Sequence, residues 1–296
     1  MKTLRLRPHA KINLGLRVLG KREDGYHELR TRFQSIDLTD ELEIAPAERG
    51  LHLEVEGAEL AADDSNLVLK AARLLGAGRP ELPGARIRLK KNIPLAAGLG
   101  GGSSDAAVTL LGLNHFWGLR LPGTELQRMA SSLGADIGFF LVGGAALGVG
   151  RGDEIVPLPD CAPFRIALLL PPFGSSTAEV YRQWDENFIG KGAEQGAWKQ
   201  DADPQGEPSS LTIHNDLERL VVSRHTQLGL LKDILIQRGA VGVALSGSGP
   251  SLYGLFPFGE NLLDLQNAHA WGGVRLLDCV PVGRRAYWER LGLPPI

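Results

Sequence analysis

Three consecutive glycines, Gly100, Gly101 and Gly102, stand inside the run Gly98-Leu99-Gly100-Gly101-Gly102-Ser103-Ser104-Asp105. An apolar strand pattern precedes the run and a helical pattern follows it. Glycine lets the backbone approach an anion closely and turn several N–H groups toward it. A helix beginning directly behind adds unpaired N–H groups and the positive end of its dipole. A di- or triphosphate is the ligand that suits such a loop. The run is not a Walker A loop, because no GxxxxGK[ST] occurs. It also misses GxGxxG, since the last position counted from Gly98 and Gly100 is Ser103. The bland alternative is a flexible turn in which Ser103 or Ser104 caps the helix. On the phosphate reading, a β-branched side chain at Gly101 obstructs the anion.

The pattern around the loop mixes strands and helices without strict alternation. Residues 10 to 18 alternate Ala10, Ile12, Leu14, Leu16 and Val18 with Lys11, Asn13, Gly15 and Arg17. Period two predicts a strand with Lys11 and Asn13 projecting together from the face opposite the core. A turn with Asp24-Gly25 at its tip follows. Helices are predicted over 65–75, from about Ala106 to Trp117, from a Thr124 cap to a Gly134 stop, and over 228–237. Strands are predicted over 85–90, 164–170, 241–245 and 252–256, the last two around Ser246-Gly247-Ser248-Gly249-Pro250. From Asp185 to Ser210 the composition turns to Gly, Gln, Asp, Glu and Pro, which reads as a surface excursion. The expected class is α+β rather than a doubly wound sheet.

Size and charge narrow the function. A chain of 296 residues suggests about two domains. The 32 Lys and Arg against 34 Asp and Glu leave a net charge of −2. That charge argues against nucleic acid or an anionic membrane as a partner. Cys161 and Cys279 are too few for a disulfide framework and lack metal-ligand spacing. Met1 to Leu6 lacks the apolar core of a signal peptide, so a cytoplasmic location is expected.

Beyond the first loop, single residues are ambiguous. Ser246, Gly247, Ser248 and Gly249 form a second glycine loop, either a tight hairpin or a wall that closes on a ligand. Asp136 stands just past a helix stop and before apolar residues, where it is either used chemically or caps the next short helix. Lys11 alone reads as an ordinary strand lysine. Spacing does not bring Lys11, Gly100 and Asp136 together.

Taken together, three blocks resemble the GHMP kinase superfamily. They are the Lys-bearing strand Ala10-Lys11-Ile12-Asn13-Leu14, the loop Pro94-Leu95-Ala96-Ala97-Gly98-Leu99-Gly100-Gly101-Gly102-Ser103-Ser104, and Leu245-Ser246-Gly247-Ser248-Gly249-Pro250. Asp24-Gly25-Tyr26-His27-Glu28-Leu29 and the Ala10-Lys11-Ile12-Asn13-Leu14 block narrow the resemblance to members acting on a cytidylyl sugar alcohol, and Leu133-Gly134-Ala135-Asp136 and Asn215-Asp216-Leu217-Glu218 also fit. The resemblance implies a two-domain α+β fold. An ATP-binding part would span 1–160, and a substrate-side part with a ferredoxin-like sheet 161–296. It implies Mg²⁺-dependent phosphoryl transfer from ATP to the acceptor's 2-hydroxyl. It places the catalytic pair on Lys11 and Asp136, acceptor contacts on Asn13, Tyr26 and His27, and a second stacking ring on Tyr181. Tyr26 and Tyr181 would then sandwich the base, with His27 contributing its backbone. Which residues hold the metal is left open. Partners would be small molecules only, and the enzyme a monomer or weak homodimer. One departure stands out: the family usually has Pro two residues after the catalytic Asp, and here that residue is Gly138. A homoserine, mevalonate or sugar kinase, or a catalytically silent nucleotide-binding module, are the rival readings.

Overall fold

The computed structural model describes residues 2–188, 213–260, 262 and 273–296. The Lys11 strand is longer than its alternation suggests, β2 running His9–Lys21 and pairing antiparallel with β3 (His27–Thr39). Between them the chain turns through Gly25 at φ 84°, the left-handed backbone that a glycine supplies without strain. Ala10, Ile12 and Leu14 enter one core cluster and Leu16 and Val18 another. The opposite face is not open to water, since Lys11 is 3% and Asn13 2% exposed. Register shifts at His9/Lys11, Asn13/Gly15 and Val18/Gly20 mark bulges, which bend a strand and re-aim its side chains.

Three sheets organise the chain. The first orders β1 (Leu4–Leu6), β4 (Glu41–Ala47), β6 (Gly84–Lys90) and β5 (Leu51–Glu56) side by side. The second runs β10 (His214–Asn215), β2, β3, β7 (Ala145–Gly150) and β8 (Glu154–Pro157). The third is fully antiparallel in the order β11 (Gly242–Leu245), β12 (Leu252–Pro257), β9 (Phe164–Leu170), β13 (Arg275–Cys279). Second, third, first, fourth is the order of a ferredoxin-like sheet. Helices α1 (Leu67–Gly76), α2 (Gly101–Phe116), α3 (Gly123–Leu133) and the single turn α4 (Ile137–Phe140) pack with the first sheet. Helices α5 (Thr177–Phe188), α6 (Glu218–Arg224) and α7 (Gln227–Gln237) lie with the third. The class is α+β, as expected.

Two helix starts differ from the sequence reading. Helix α2 begins at Gly101, not near Ala106, because Gly100 at φ 69° and ψ 18° takes the N-cap position and the glycines themselves enter the first turn. Helix α3 begins at Gly123 after Pro122, which leaves Thr124 inside the first turn rather than at its cap. Helix α5 continues to Phe188, so the stretch read as an excursion from 185 to 210 starts as helix; residues 189–210 lie outside the described residues. Among the described residues no helix is long and apolar enough to cross a membrane.

The last helix, α8 (Arg284–Leu291), returns to the core built by α2 and the first sheet. Tyr287 donates its hydroxyl to Phe140 O at 2.6 Å and Trp288 Nε1 donates to Val142 O at 3.2 Å. Gly143 makes this docking possible: its φ is +68°, and a Cβ there would stand 2.2 Å from the Tyr287 ring. Gly143→Ala is therefore expected to destabilise the chain by about 2–4 kcal/mol, adding left-handed strain to overpacking. Denaturant unfolding measures it, and an unchanged midpoint would show that the helix has room to move.

Candidate active site

Buried groups converge where β2 passes the glycine loop. The Lys11 N–H donates to Leu99 O at 3.0 Å, so the strand is bonded to the loop by backbone. Lys11 Nζ donates to Asn13 Oδ1 at 2.5 Å and lies 3.4 Å from Asp136 Oδ2. Its ammonium also stands 5.4 Å from the centre of the Phe33 ring, a favourable place for a cation. Asn13 is held in turn: its Nδ2 donates to Thr31 Oγ1 at 2.8 Å, and its carbonyl accepts the Tyr253 hydroxyl at 2.8 Å. The Asp136 side chain is 37% exposed and opens onto the cleft, whereas the Lys11 side chain is 4% exposed. Asp136 occupies the N-cap position of α4 yet accepts no capping hydrogen bond. The capping alternative thus fails, and the carboxylate faces a buried cation instead.

The two glycine loops are interlocked. Ser246 Oγ donates to Gly98 O at 2.8 Å, and a Cβ on Gly98, whose φ is +77°, would strike Ser246 O at 2.1 Å. A Cβ on Gly247 would stand 3.2 Å from Asn13 Oδ1 and 3.4 Å from Lys11 Nζ. The second loop is thus a wall laid against the Lys11–Asn13 pair. Ser248 Oγ shares a hydrogen with Thr177 Oγ1 at 2.8 Å, which ties the wall to the start of α5. Asn215 fixes the loop from behind, its Nδ2 donating to Leu245 O at 2.9 Å and Gly247 O at 2.7 Å.

Beneath the first loop lies a second buried ammonium that the sequence did not signal. Lys91 Nζ bonds both Asp40 Oδ2 and Asp105 Oδ2, the latter at 2.7 Å. All three side chains are 3% exposed or less. Asp40 Oδ1 also accepts Asn92 N at 2.5 Å and Ile93 N at 2.8 Å, which sets the chain's exit toward Pro94. Burial first of all, and then the Asp40 charge, push the Asp105 carboxyl up to about 8 against the pull of Lys91.

These elements enclose a cleft of about 1140 Å³. It is lined by Lys11, Asn13, Asp136, Tyr26, His27, Tyr181 and the loop residues from Pro94 to Ser103, with Gly247 and Ser248 opposite. Ser104 is fully buried. At the far end His27 Nε2 and Asp185 Oδ1 are 2.6 Å apart, and Lys21 Nζ donates to Asp185 Oδ2 at 2.6 Å. Tyr181 stacks on the His27 ring with centroids 4.7 Å apart. Burial, reinforced by the Asp136 and Asp216 charges, raises the Tyr181 phenol above its ordinary value and keeps it neutral. Tyr26, 53% exposed, carries the Arg151 guanidinium over its ring at 4.8 Å. Both tyrosines line one cleft, but each has its own ring partner. Asp185 and Arg151 were missed in the sequence, because nothing local distinguishes them from surface charges. A Cβ on Gly138 would stand 2.0 Å from Gln127 Nε2, the end of a flexible side chain that can move aside.

The geometry corrects the expectation for Gly101. A Cβ there would meet Ile93 Cγ2 at 2.9 Å and Lys91 Nζ at 3.2 Å, in the core rather than the cleft. Gly102 is exposed, and a Cβ on it would meet only Leu67 Cδ1 at 3.7 Å. Gly102→Val is expected to keep the fold and weaken ATP binding about tenfold or more, on a scale of ~1.4 kcal/mol per decade. Calorimetry showing unchanged ATP affinity would make the loop structural. A second expectation concerns pH. Asp105 has an ordinary value of 3.8 and a raised one in the fold. Its stabilisation is complete below about pH 4 and is lost as pH rises through about 8, when the buried triad becomes a net anion. Melts at about pH 5 and about pH 8 should show a larger loss in the wild type than in Asp105→Asn. Equal losses would contradict the shift.

Comparison with known proteins places this geometry. The family described as the GHMP kinases N terminal domain matches residues 66–144, which hold the first glycine loop and Asp136. A 4-diphosphocytidyl-2-C-methyl-D-erythritol kinase from Pelotomaculum thermopropionicum is 45% identical over 249 residues, covering 83% of this chain and 86% of that one. Its counterpart in Moorella thermoacetica is 40% identical over 271 residues, with 88% and 92% covered. A crystal structure of 4-(cytidine 5'-diphospho)-2C-methyl-D-erythritol kinase superposes with a TM-score of 0.74 at 32% identity, covering 95% of this chain and all of that one. A homoserine kinase from Cytophaga hutchinsonii, 18% identical with a TM-score of 0.66 and 97% of each chain covered, shares the fold.

Proposed function

The chain belongs to the 4-diphosphocytidyl-2-C-methyl-D-erythritol kinases, and on that premise we propose how its cleft carries out the reaction. The enzyme transfers a phosphoryl group from ATP to the 2-hydroxyl of 4-diphosphocytidyl-2-C-methyl-D-erythritol, in the non-mevalonate isoprenoid pathway. Phosphoryl transfer asks the protein for in-line positioning and charge stabilisation more than for covalent chemistry. In our reading the ATP phosphates lie along Pro94 to Ser104, against the N-terminus of α2. The N–H groups of its first turn and the helix dipole attract them there.

Asp136 accepts the proton of the acceptor hydroxyl as the oxygen attacks the γ-phosphorus, and ADP departs. Lys11, with Asn13 fixing its ammonium, lies 3.4 Å from Asp136 and draws the acceptor oxygen and the transferring group together. The single observation that carries this reading is the 3.4 Å pairing of a buried Lys11 with a solvent-facing Asp136 beside the loop. Among the described residues no three His, Cys, Asp or Glu side chains converge as a metal site. Mg²⁺ needs no such cluster, since one or two carboxylates together with the nucleotide's phosphates would hold it, and it would neutralise phosphate charge. The cytosine end falls to Tyr26, His27 and Tyr181, with Ser246 to Gly249 closing the wall opposite. The same proposal takes residues 1–160 as the ATP-binding part and 161–296 as the substrate-side part, with α8 crossing back. It further takes the enzyme as cytoplasmic, monomeric or weakly dimeric, and without nucleic-acid or membrane partners.

Asp136→Asn keeps the shape and removes the proton acceptor. The expected result is a fall in kcat of about 10²-fold or more with ATP affinity nearly unchanged. Steady-state and single-turnover kinetics decide it, and near-wild-type turnover in the chemical step would remove Asp136 from the role.

A further inference from the structure

Arg151 lies in the turn that follows β7, and its guanidinium covers the Tyr26 ring 4.8 Å from the centroid. Tyr26 sits just past Gly25 at the tip of the β2–β3 hairpin and is more than half exposed. An exposed ring on a hairpin has little else to fix its orientation. Arg151 is itself anchored: its NH2 donates to Asp153 Oδ2 at 2.6 Å and to Ser131 O at 3.2 Å. Asp153 is held in turn, its carbonyl accepting Gln127 Nε2 at 3.2 Å. The Gln127 amide passes through the space that a Cβ on Gly138 would fill. A series of packed groups thus runs from α4, two residues beyond Asp136, to the face of Tyr26. Every member is a side chain or carbonyl with a stated partner.

We propose that Arg151 is a positioning residue for acceptor recognition, acting through Tyr26: it occupies one face of the ring, fixes its angle, and leaves the opposite face for the cytosine base. This inference rests on the reading that Tyr26 belongs to the cytidylyl end of the cleft. It adds to that reading in one respect. The base stacks on a ring already backed by a cation, and Tyr181, which meets His27 by one face, still lines the cleft. A planar guanidinium over an aromatic face suits this task, since it attracts the ring and matches its flatness.

The test is a double-mutant cycle read by calorimetric binding of cytidine 5'-diphosphate, with ATP binding as control. Arg151→Ala should weaken cytidine diphosphate binding about fivefold, the scale of one cation–ring contact. It should leave ATP affinity unchanged. Arg151→Gln, which keeps a hydrogen-bonding side chain at the position, should show the same loss and guards against a folding defect in the alanine variant. In a Tyr26→Ala background the Arg151→Ala change should have less than about a twofold effect, because coupled residues are non-additive. An equal loss in both backgrounds would overturn the inference, since Arg151 would then act on the phosphates or on the fold directly. Wild-type affinity in both Arg151 variants would overturn it while leaving the cytidylyl reading intact. A wild-type chain that binds ATP but no cytidine diphosphate would overturn both.

Discussion

The ammonium of Lys11 is held almost entirely out of water, and most of the site follows from that. A buried cation is tolerated only when paired and hydrogen-bonded, and removing one partner from such an arrangement costs about 3–5 kcal/mol. Lys11 meets the requirement with Asn13 Oδ1, the Phe33 ring and Asp136. Each partner arrives from a different element: β2 itself, β3 and the start of α4. Asn13 is then fixed by Thr31 on β3 and by Tyr253 on β12. One cation therefore draws together the second sheet, the third sheet and the helical layer. Satisfying Lys11 during folding assembles the geometry to which we assign phosphoryl transfer.

Lys91 repeats the device one layer below, with a different outcome. Its two carboxylates are buried with it, so its charge is consumed internally and serves to set the loop and the first turn of α2. Among the described residues Lys11 pairs with one carboxylate, and that one faces the cleft. Its field is thus partly available to a ligand. The contrast separates a cation that shapes the glycine loop from one that, in the proposed mechanism, acts on what the loop holds. The interlock of Gly98 with Ser246 keeps the two layers in register, since neither loop can move without meeting the other's backbone.

Much of this was legible in the amino-acid sequence because it is local. The period-two pattern of β2 put Lys11 and Asn13 on one face. The glycine run marked the loop, and the order of motifs marked the family. What was not legible depended on distant approach. The alternation of β2 suggested an open polar face, yet that face is covered by the two glycine loops. Asp105 stood in plain sight beside the glycine run, but its importance comes from Lys91, 14 residues before it, and from Asp40, a further 51 residues back. Asp185 and Arg151 looked like surface charges and are the ring-end partners of His27 and Tyr26. The start of α2 was misplaced because glycine disfavours helix interiors; here Gly100 takes the left-handed cap, and Gly101 is required where any side chain would meet Ile93.

The central claim is that Lys11, buried and paired with Asp136, drives transfer rather than merely supporting the fold. The most direct measurement is phosphorus magnetic resonance of the products formed from ATP, Mg²⁺ and 4-diphosphocytidyl-2-C-methyl-D-erythritol, comparing the wild type with Lys11→Met. The account predicts ADP and one new phosphomonoester resonance from the wild type. From a folded Lys11→Met chain that still binds ATP it predicts a rate of formation lower by about 10²-fold or more. A Lys11→Met enzyme that forms the same phosphomonoester at the wild-type rate would contradict it.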